Sequence, residues 1–436
     1  MNPIIIIDAL LLVGLLLIGV PVPLCFAAAV LFLFAMGDYG SASFLVSAGF
    51  SKMSSIILIA LPLYIIAGNI MSQGGIAQRL VNLADSLFGR YHGGLGIVVV
   101  MVTGIFGAIS GMASSAVAAV GKIMIPRMVE RGYDRGYAAS LVSSSAVLAL
   151  LIPPSASMIL YGWVSGTSIT ASFLAPVFPG ILLIMLFCFW NRVLTRRMPL
   201  KKPAPAALPV VIREVGTRTW KAALGLGMPL IILGCIYGGI TTPTEAAAIA
   251  VIYAVPVSVL FYRELDWKSL YSVLWQAGQT AGVLLVLVFF SAMLARIFTM
   301  ENVPQMVLAG FLTVSENPII LLLLLNLFLL MIGMFMEDVS GILLAVPMLL
   351  PLVLQLGVDP VQFAAIVATN LGMGLITPPT APILYFGAMV GETRLSAMLK
   401  PTLVFLLLAY LPVVLLTTFI PALSLTLPRL ILGYGL

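Results

Sequence analysis

Pro153-Pro154 and Pro378-Pro379 each interrupt a long apolar run, in Leu150-Leu151-Ile152-Pro153-Pro154-Ser155-Ala156 and in Leu375-Ile376-Thr377-Pro378-Pro379-Thr380-Ala381. A proline lacks the backbone donor and its ring clashes with the preceding turn, so two in succession stop a helix. The spacing is 378 − 153 = 225. It recurs without a gap at Ser115 and Ser340, Pro126 and Pro351, Gly132 and Gly357, Asp134 and Asp359, and Gly162 and Gly387. The chain reads as two copies of one plan, each containing a broken helix.

Hydrophobic residues make up 62% of the 436 positions and charged residues only 8%, in recurrent uncharged runs. Each run is near the length a helix needs to cross about 30 Å of hydrocarbon. The short alternating segments of a membrane β-barrel are missing. The expected class is an all-α polytopic membrane protein. The start, Met1-Asn2-Pro3-Ile4, has no basic leader or small-residue cleavage site, so it reads as a retained first helix and not a signal peptide. Cys25, Cys188 and Cys235 lie in apolar segments without metal-like spacing and read as small core residues, and the single histidine, His92, sits beside Arg90 in a turn. The net charge of +6 is no nucleic-acid signature, and no nucleic-acid partner is expected. There is no His-Glu-x-x-His or Gly-x-Ser-x-Gly motif for an enzyme, no Walker-type loop for ATP, and no call for an organic cofactor.

Residues 1–190 form the first expected repeat. It has a hairpin at about 93–131, tipped by Ser110-Gly111-Met112-Ala113-Ser114-Ser115, and a broken helix at 136–161. Residues 191–221 hold Arg192, Arg196, Arg197, Lys201, Lys202, Arg213, Arg218 and Lys221 against one acid, Glu214, with Pro199, Pro203, Pro205 and Pro209. That reads as an irregular, basic, cytoplasmic linker. Residues 222–436 repeat the plan, with a hairpin at about 318–356 and a broken helix at 360–387. Segments 39–55, 78–90 and 301–315 read as interfacial. Bare backbone at membrane depth is tolerated only inside protein or along a cavity, so both hairpins read as re-entrant. The base of the first carries Arg90, Lys122, Arg127, Arg131 and Arg135, whereas the base of the second carries no Lys or Arg. Matching elements then face opposite sides, giving two inverted-topology repeats with both termini outside the cytoplasm. Paired helix breaks in such halves are the best sequence pointer to a transporter's binding site.

The stretches Gly239-Ile240-Thr241-Thr242-Pro243-Thr244-Glu245-Ala246-Ala247-Ala248, Gly372-Met373-Gly374-Leu375-Ile376-Thr377-Pro378-Pro379 and Ile123-Met124-Ile125-Pro126-Arg127-Met128, with the twin breaks, resemble the large membrane subunit of TRAP (tripartite ATP-independent periplasmic) transporters, the DctM-like class. The resemblance covers essentially the whole chain. It implies an elevator-type, sodium-driven importer of an organic acid in the bacterial inner membrane. The implied partners are a periplasmic substrate-binding protein and a small four-helix membrane subunit. Two departures concern substrate choice: Arg296, where relatives more often carry an aromatic, and the hydroxylated run Ser143-Ser144-Ser145. A standalone sodium–carboxylate symporter shares these features, and a channel or scaffold subunit is a more distant alternative.

A broken helix exposes carbonyls at one end and N–H groups at the other, suited to a hard cation and to a carboxylate respectively. One expected half-site is Ser110, Ser114, Ser115, Ser143, Ser144, Ser145, Pro153, Pro154 and Ser155. The other is Glu337, Asp338, Ser340, Thr369, Asn370, Gly372, Gly374, Thr377, Pro378 and Thr380. Sodium, the expected coupling ion, would bind mostly through backbone oxygens near Ser115, Ser145, Ser340, Gly374 and Thr377. The competing reading makes the small residues helix-packing positions and the prolines mere kinks. Glu337 and Asp338 are intramembrane acids, functional by default, unless they only cap the following arm. Thr242-Pro243-Thr244-Glu245 fits a capping box, so Glu245 reads as a cap. Arg296 reads as snorkelling to the interface beside Glu301 in preference to attracting a substrate anion.

Overall fold

Backbone amides in hydrocarbon have no water to pair with, so an apolar run there must satisfy itself as a helix. The computed structural model describes residues 3–37, 39, 41–201 and 208–435, and among these it contains helices and no strand. Eight helices are long and apolar enough to cross a bilayer, or nine with one bent pair counted. Large apolar side chains such as Leu10, Leu31, Ile252 and Leu327 stand exposed on the outer faces, where lipid replaces water.

The offset of 225 governs helix boundaries as well as single residues. The first hairpin is Gly94–Ser110 and Ala113–Glu130, and the second is Pro318–Phe335 and Asp338–Gln355. Adding 225 to 113 and 130 gives 338 and 355, the limits of the matching arm. The first broken helix runs Arg135–Leu151 and resumes as Ala156–Ser165, bent by 43°. The second runs Pro360–Gly374 and resumes as Pro382–Val390. Both Pro-Pro peptide bonds are cis.

Outside these cores the copies diverge. Ala42–Met53, inside the segment 39–55, and Ala60–Gln73 are separate helices. Their counterparts at 267–278 and 285–298 lie within one uninterrupted helix, Trp267–Met300. Its 34 residues span about 51 Å at 1.5 Å per residue.

The linker is less irregular than its composition implies. Val177–Thr195 enters it and Leu208–Tyr237 begins inside it, while Lys202, Pro203 and Pro205 lie outside the described residues. Pro209 falls in the first turn, where a missing N–H costs nothing. Glu214 and Arg218 pair one helical turn apart. Both also reach the amphipathic helix Ile76–Phe88 and the turn after it, through Arg90–Glu214 at 2.6 Å and Arg218–Asp85 at 3.7 Å. These partners hold as helix a stretch that reads as loop when its charges are counted in isolation.

The two halves exchange elements. Ala156–Ser165, beyond the first break, packs on Asp338–Gln355 of the second hairpin, and Pro382–Val390, beyond the second break, packs on Ala113–Glu130 of the first. Small residues permit the crossings within each half: a Cβ on Gly107 would fall 2.6 Å from Ala149 Cα, and one on Gly374 would fall 2.5 Å from the Gly333 carbonyl carbon. A second layer, Ala60–Gln73 on Pro243–Pro256 and Ala42–Met53 on Trp267–Met300, flanks this core.

Candidate functional site

The exchange brings both hairpin tips to the breaks. Gly111 turns the first tip with φ +66°, and a Cβ there would lie 3.3 Å from the Ala156 nitrogen and 3.5 Å from the Pro154 oxygen. The second tip reaches the first break, where the Ser157 hydroxyl donates to the Asp338 carboxylate. It also meets its own break, where the Thr380 hydroxyl donates to the Met334 carbonyl. The two broken helices cross beside this point, with Gly372 against Tyr410 and Val147.

Hydroxyls in this cluster fall into two classes. Those of Ser143, Thr369 and Thr377 donate to carbonyls four residues back, Ala139, Ala365 and Met373, at 2.7–2.9 Å. Ser110 and Ser340 likewise bond locally, to Met112 O and Glu337 O. The hydroxyls of Ser144, Ser145 and Ser155 are buried and have no hydrogen-bond partner among the described residues. Leaving a hydroxyl buried and unpaired costs about 1–3 kcal/mol. Ser144 and Ser145 lie in the first arm of the broken helix and Ser155 stands at the cap position of its second arm; such unpartnered hydroxyl oxygens are of the kind a hard cation takes, and sodium fits them chemically.

Pro153 and Pro154 are buried, Pro378 and Ser115 half-buried, and Ser114 and Glu337 exposed. Asp338, not Glu337, is therefore the acid aimed into the cluster. Glu337 at the cap position makes no side-chain cap hydrogen bond, whereas Asp338 stands in the first turn of the arm and accepts from Ser157. Glu245 does form the expected capping box: its carboxylate accepts from the Thr242 N–H at 2.7 Å, and its own N–H donates to the Thr242 hydroxyl at 3.3 Å.

Several participants escaped sequence reading. Ser157 is one. Another is a buried polar chain in which the Asn370 amide donates to Asn326 Oδ1 at 2.9 Å and the Asn326 amide donates to the Thr418 hydroxyl at 3.0 Å. Gln362 donates to the Thr418 carbonyl at 3.0 Å. Asn326 as the lone polar residue in a leucine run was the signal available. Tyr410 is a third, its buried hydroxyl beside Gly372.

Two larger cavities open beside the cluster, on either side of Trp163. One of about 570 Å³ lies between Ala42–Met53 and Trp267–Met300 on one wall and Trp163, Leu343 and Pro347 on the other. The second, of about 510 Å³, is bordered by Ile57, Thr167, Thr170 and Thr244. Arg296 lines the first cavity with its guanidinium 5.1 Å from the Phe44 ring centre.

Residues 9–423 match the family model described as the tripartite ATP-independent periplasmic transporter DctM component. The sialic acid TRAP transporter large permease protein SiaM of Vibrio cholerae is 34% identical over 97% of this chain and 98% of its own length. The C4-dicarboxylate large permease DctM of Pseudomonas aeruginosa is 35% identical over 87% of this chain and 88% of its own. The isethionate permease protein DctMQ of Oleidesulfovibrio alaskensis is 34% identical over 93% of this chain, which spans 64% of that longer relative. In fold, the chain is similar to the YdaH transporter of Alcanivorax borkumensis, with a TM-score of 0.57 at 17% identity and 86% of each chain covered. The convergence of two hairpin tips on two broken helices is thus the architecture of a multi-pass transport protein, and the chain belongs to the DctM family of large TRAP transporter permeases.

Proposed function

We propose that this chain is the translocating subunit of a sodium-coupled organic-acid importer in the bacterial inner membrane. The carrying observation is the first broken helix: it holds three unpaired buried hydroxyls, Ser144 and Ser145 before the break and Ser155 at it, and the break also meets a second-half carboxylate through Ser157 and Asp338. Hydroxyl and carbonyl oxygens suit sodium, and the N–H groups opened at the breaks suit a carboxylate. Ser144, Ser145 and Ser155 would hold sodium in the first half, with carbonyls near Gly374 and Thr377 as the counterpart. Asp338 would orient the tip through Ser157.

In this reading the hairpins and broken helices move as a unit against the second layer, an elevator device. The halves are inverted about the membrane plane, with the basic stretch at 191–221 cytoplasmic and both termini on the other side. A periplasmic substrate-binding protein delivers the acid, and a small membrane subunit completes the permease. The relatives named for sialic acid, C4-dicarboxylates and isethionate support an anionic organic substrate.

The test is uptake into vesicles holding this chain with its small subunit and binding protein, using those three acids and an imposed sodium gradient. Uptake of at least one acid should rise with the gradient and collapse without it. Gradient-independent uptake of every transported acid would reject coupling, and equal uptake without the binding protein would favour a standalone symporter.

A further inference from the structure

The cavity beside Arg296 has a chemistry that the tip cluster does not use. Along Ala42–Met53, Phe44, Ser47, Ala48, Ser51 and Lys52 recur at helical spacing, so one face of that helix looks into it. Ser291, Ala295, Arg296 and Thr299 do the same from Trp267–Met300. Two neighbouring membrane helices thus turn their hydroxyls and a cation each toward the same space.

Among the described residues no carboxylate lines that space. Lys52 and Arg296 form no ion pair among the described residues; their charged groups lie instead 5.8 Å from the Trp163 ring centre and 5.1 Å from the Phe44 ring centre. Phe44 marks where Arg296 meets the first helix, and Lys52 follows eight residues later, about 12 Å along it. The cations therefore stand apart along the cavity. Nor are they products of the repeat. Subtracting 225 from 296 gives Met71, and adding 225 to 52 gives Ala277, both apolar and fully buried.

The opposite wall leads to the tip cluster. Trp163 is six residues beyond Ser157, about 9 Å along its helix, and Leu343 is five residues beyond Asp338, about 7.5 Å along its own. We propose that Lys52 and Arg296 form a separate anion site on the flanking layer, one that takes the carboxylate or sulfonate of an organic acid before it reaches Ser157 and Asp338. The pair selects for charge, and Phe44 and Trp163 flank the acid with aromatic surface. This site deepens the transport reading above and rests on it for its purpose, yet its charge selectivity is measurable without transport.

The second cavity supplies a control, because among the described residues no Lys or Arg lines it, the nearby Glu245 carboxylate bonds Thr242 on its border, and Trp163 borders both cavities. Ser51→Cys reports the first cavity and Thr170→Cys the second, with labelling of the parent's own three cysteines subtracted. Each is reacted with a sulfonate-bearing and a trimethylammonium-bearing methanethiosulfonate reagent, and each rate is divided by that reagent's rate with a free thiol in solution. At Ser51→Cys the sulfonate reagent should win by roughly tenfold, and about 0.5 M salt should remove most of that preference. Adding Lys52→Gln and Arg296→Gln, singly and together, should abolish it, while Thr170→Cys shows no sulfonate preference throughout. A preference at Ser51→Cys that survives the double substitution, or an equal preference at Thr170→Cys, overturns the site. Loss of sodium coupling in the uptake experiment would leave these ratios untouched, so the two readings fail separately.

Discussion

At residues 144 and 145 the first half places two serines whose buried hydroxyls have no protein partner; at 144 + 225 = 369 and 145 + 225 = 370 the second half places Thr369 and Asn370, whose polar groups are filled. Thr369 bonds back to its own helix, and Asn370 is the end of a chain through Asn326 to Thr418. The tips differ the other way. The first, Ser110-Gly111-Met112, has no acid, while the second presents Asp338 to Ser157 of the first half. The repeat thus duplicates backbone geometry without duplicating chemistry. At these positions one half keeps unpartnered oxygens, and the other supplies a charge at its tip and polar groups that are already bonded.

Removing the charge is the most severe way to break this division. Asp338→Ala leaves Ser157 unpaired and severs the bond between halves, a change of about 3 kcal/mol for a charged, partly buried partner. At about 1.4 kcal/mol per decade, initial uptake should fall on the order of 100-fold. Glu337→Ala, one residue away but exposed, should stay within about twofold. Equal losses for the two would remove the distinction between the acids.

A smaller effect is expected at the free hydroxyls. Ser145→Ala and Ser155→Ala should each raise the half-saturating sodium concentration roughly tenfold, the worth of one neutral ligand. Thr369→Ala and Thr377→Ala should shift it by no more than about twofold, because their hydroxyls are already bonded to carbonyls. Sodium titrations of uptake decide the point, and the reverse order would transfer the ion site to the second half.

Asn326→Ala probes rigidity in place of ligation. It strips partners from both Asn370 and Thr418 and should lower stability by about 1–3 kcal/mol in detergent unfolding, with sodium half-saturation little changed. An unchanged unfolding midpoint with an altered sodium requirement would make the polar chain part of the ion site. The smallest effect belongs to Thr242→Ala. It removes a helix cap worth about 1 kcal/mol at an exposed position, so uptake should remain within twofold. A larger loss would show that Glu245 does more than cap.

Much of the fold was legible because its signals are local. Proline pairs stop helices wherever they stand, and the Thr242–Glu245 box involves residues three apart. Less of the site was legible, because its partners are remote in the chain. Ser157 and Asp338 are separated by 181 residues, and Asn326 and Thr418 by 92. Ser114 and Ser115 were grouped with Ser110 by sequence adjacency, yet the turn at Gly111 puts Ser114 on the next arm, exposed, while Ser110 ends the first arm buried. Charge counting likewise read 191–221 as loop, and the ion pairs from Glu214 and Arg218 to another helix explain why Leu208–Tyr237 includes its latter part.

The sequence by itself determined the class, the two copies and the four positions where hairpins turn and helices break. Those features follow from backbone donors, hydrocarbon and proline, which act within a few residues of themselves. Tertiary structure alone decided which serines keep a free oxygen, which of two adjacent acids faces inward, and that Lys52 and Arg296 look into one cavity. Each of those outcomes depends on what a distant helix offers opposite the side chain. The same residue types, repeated 225 positions apart, meet different partners and acquire different roles.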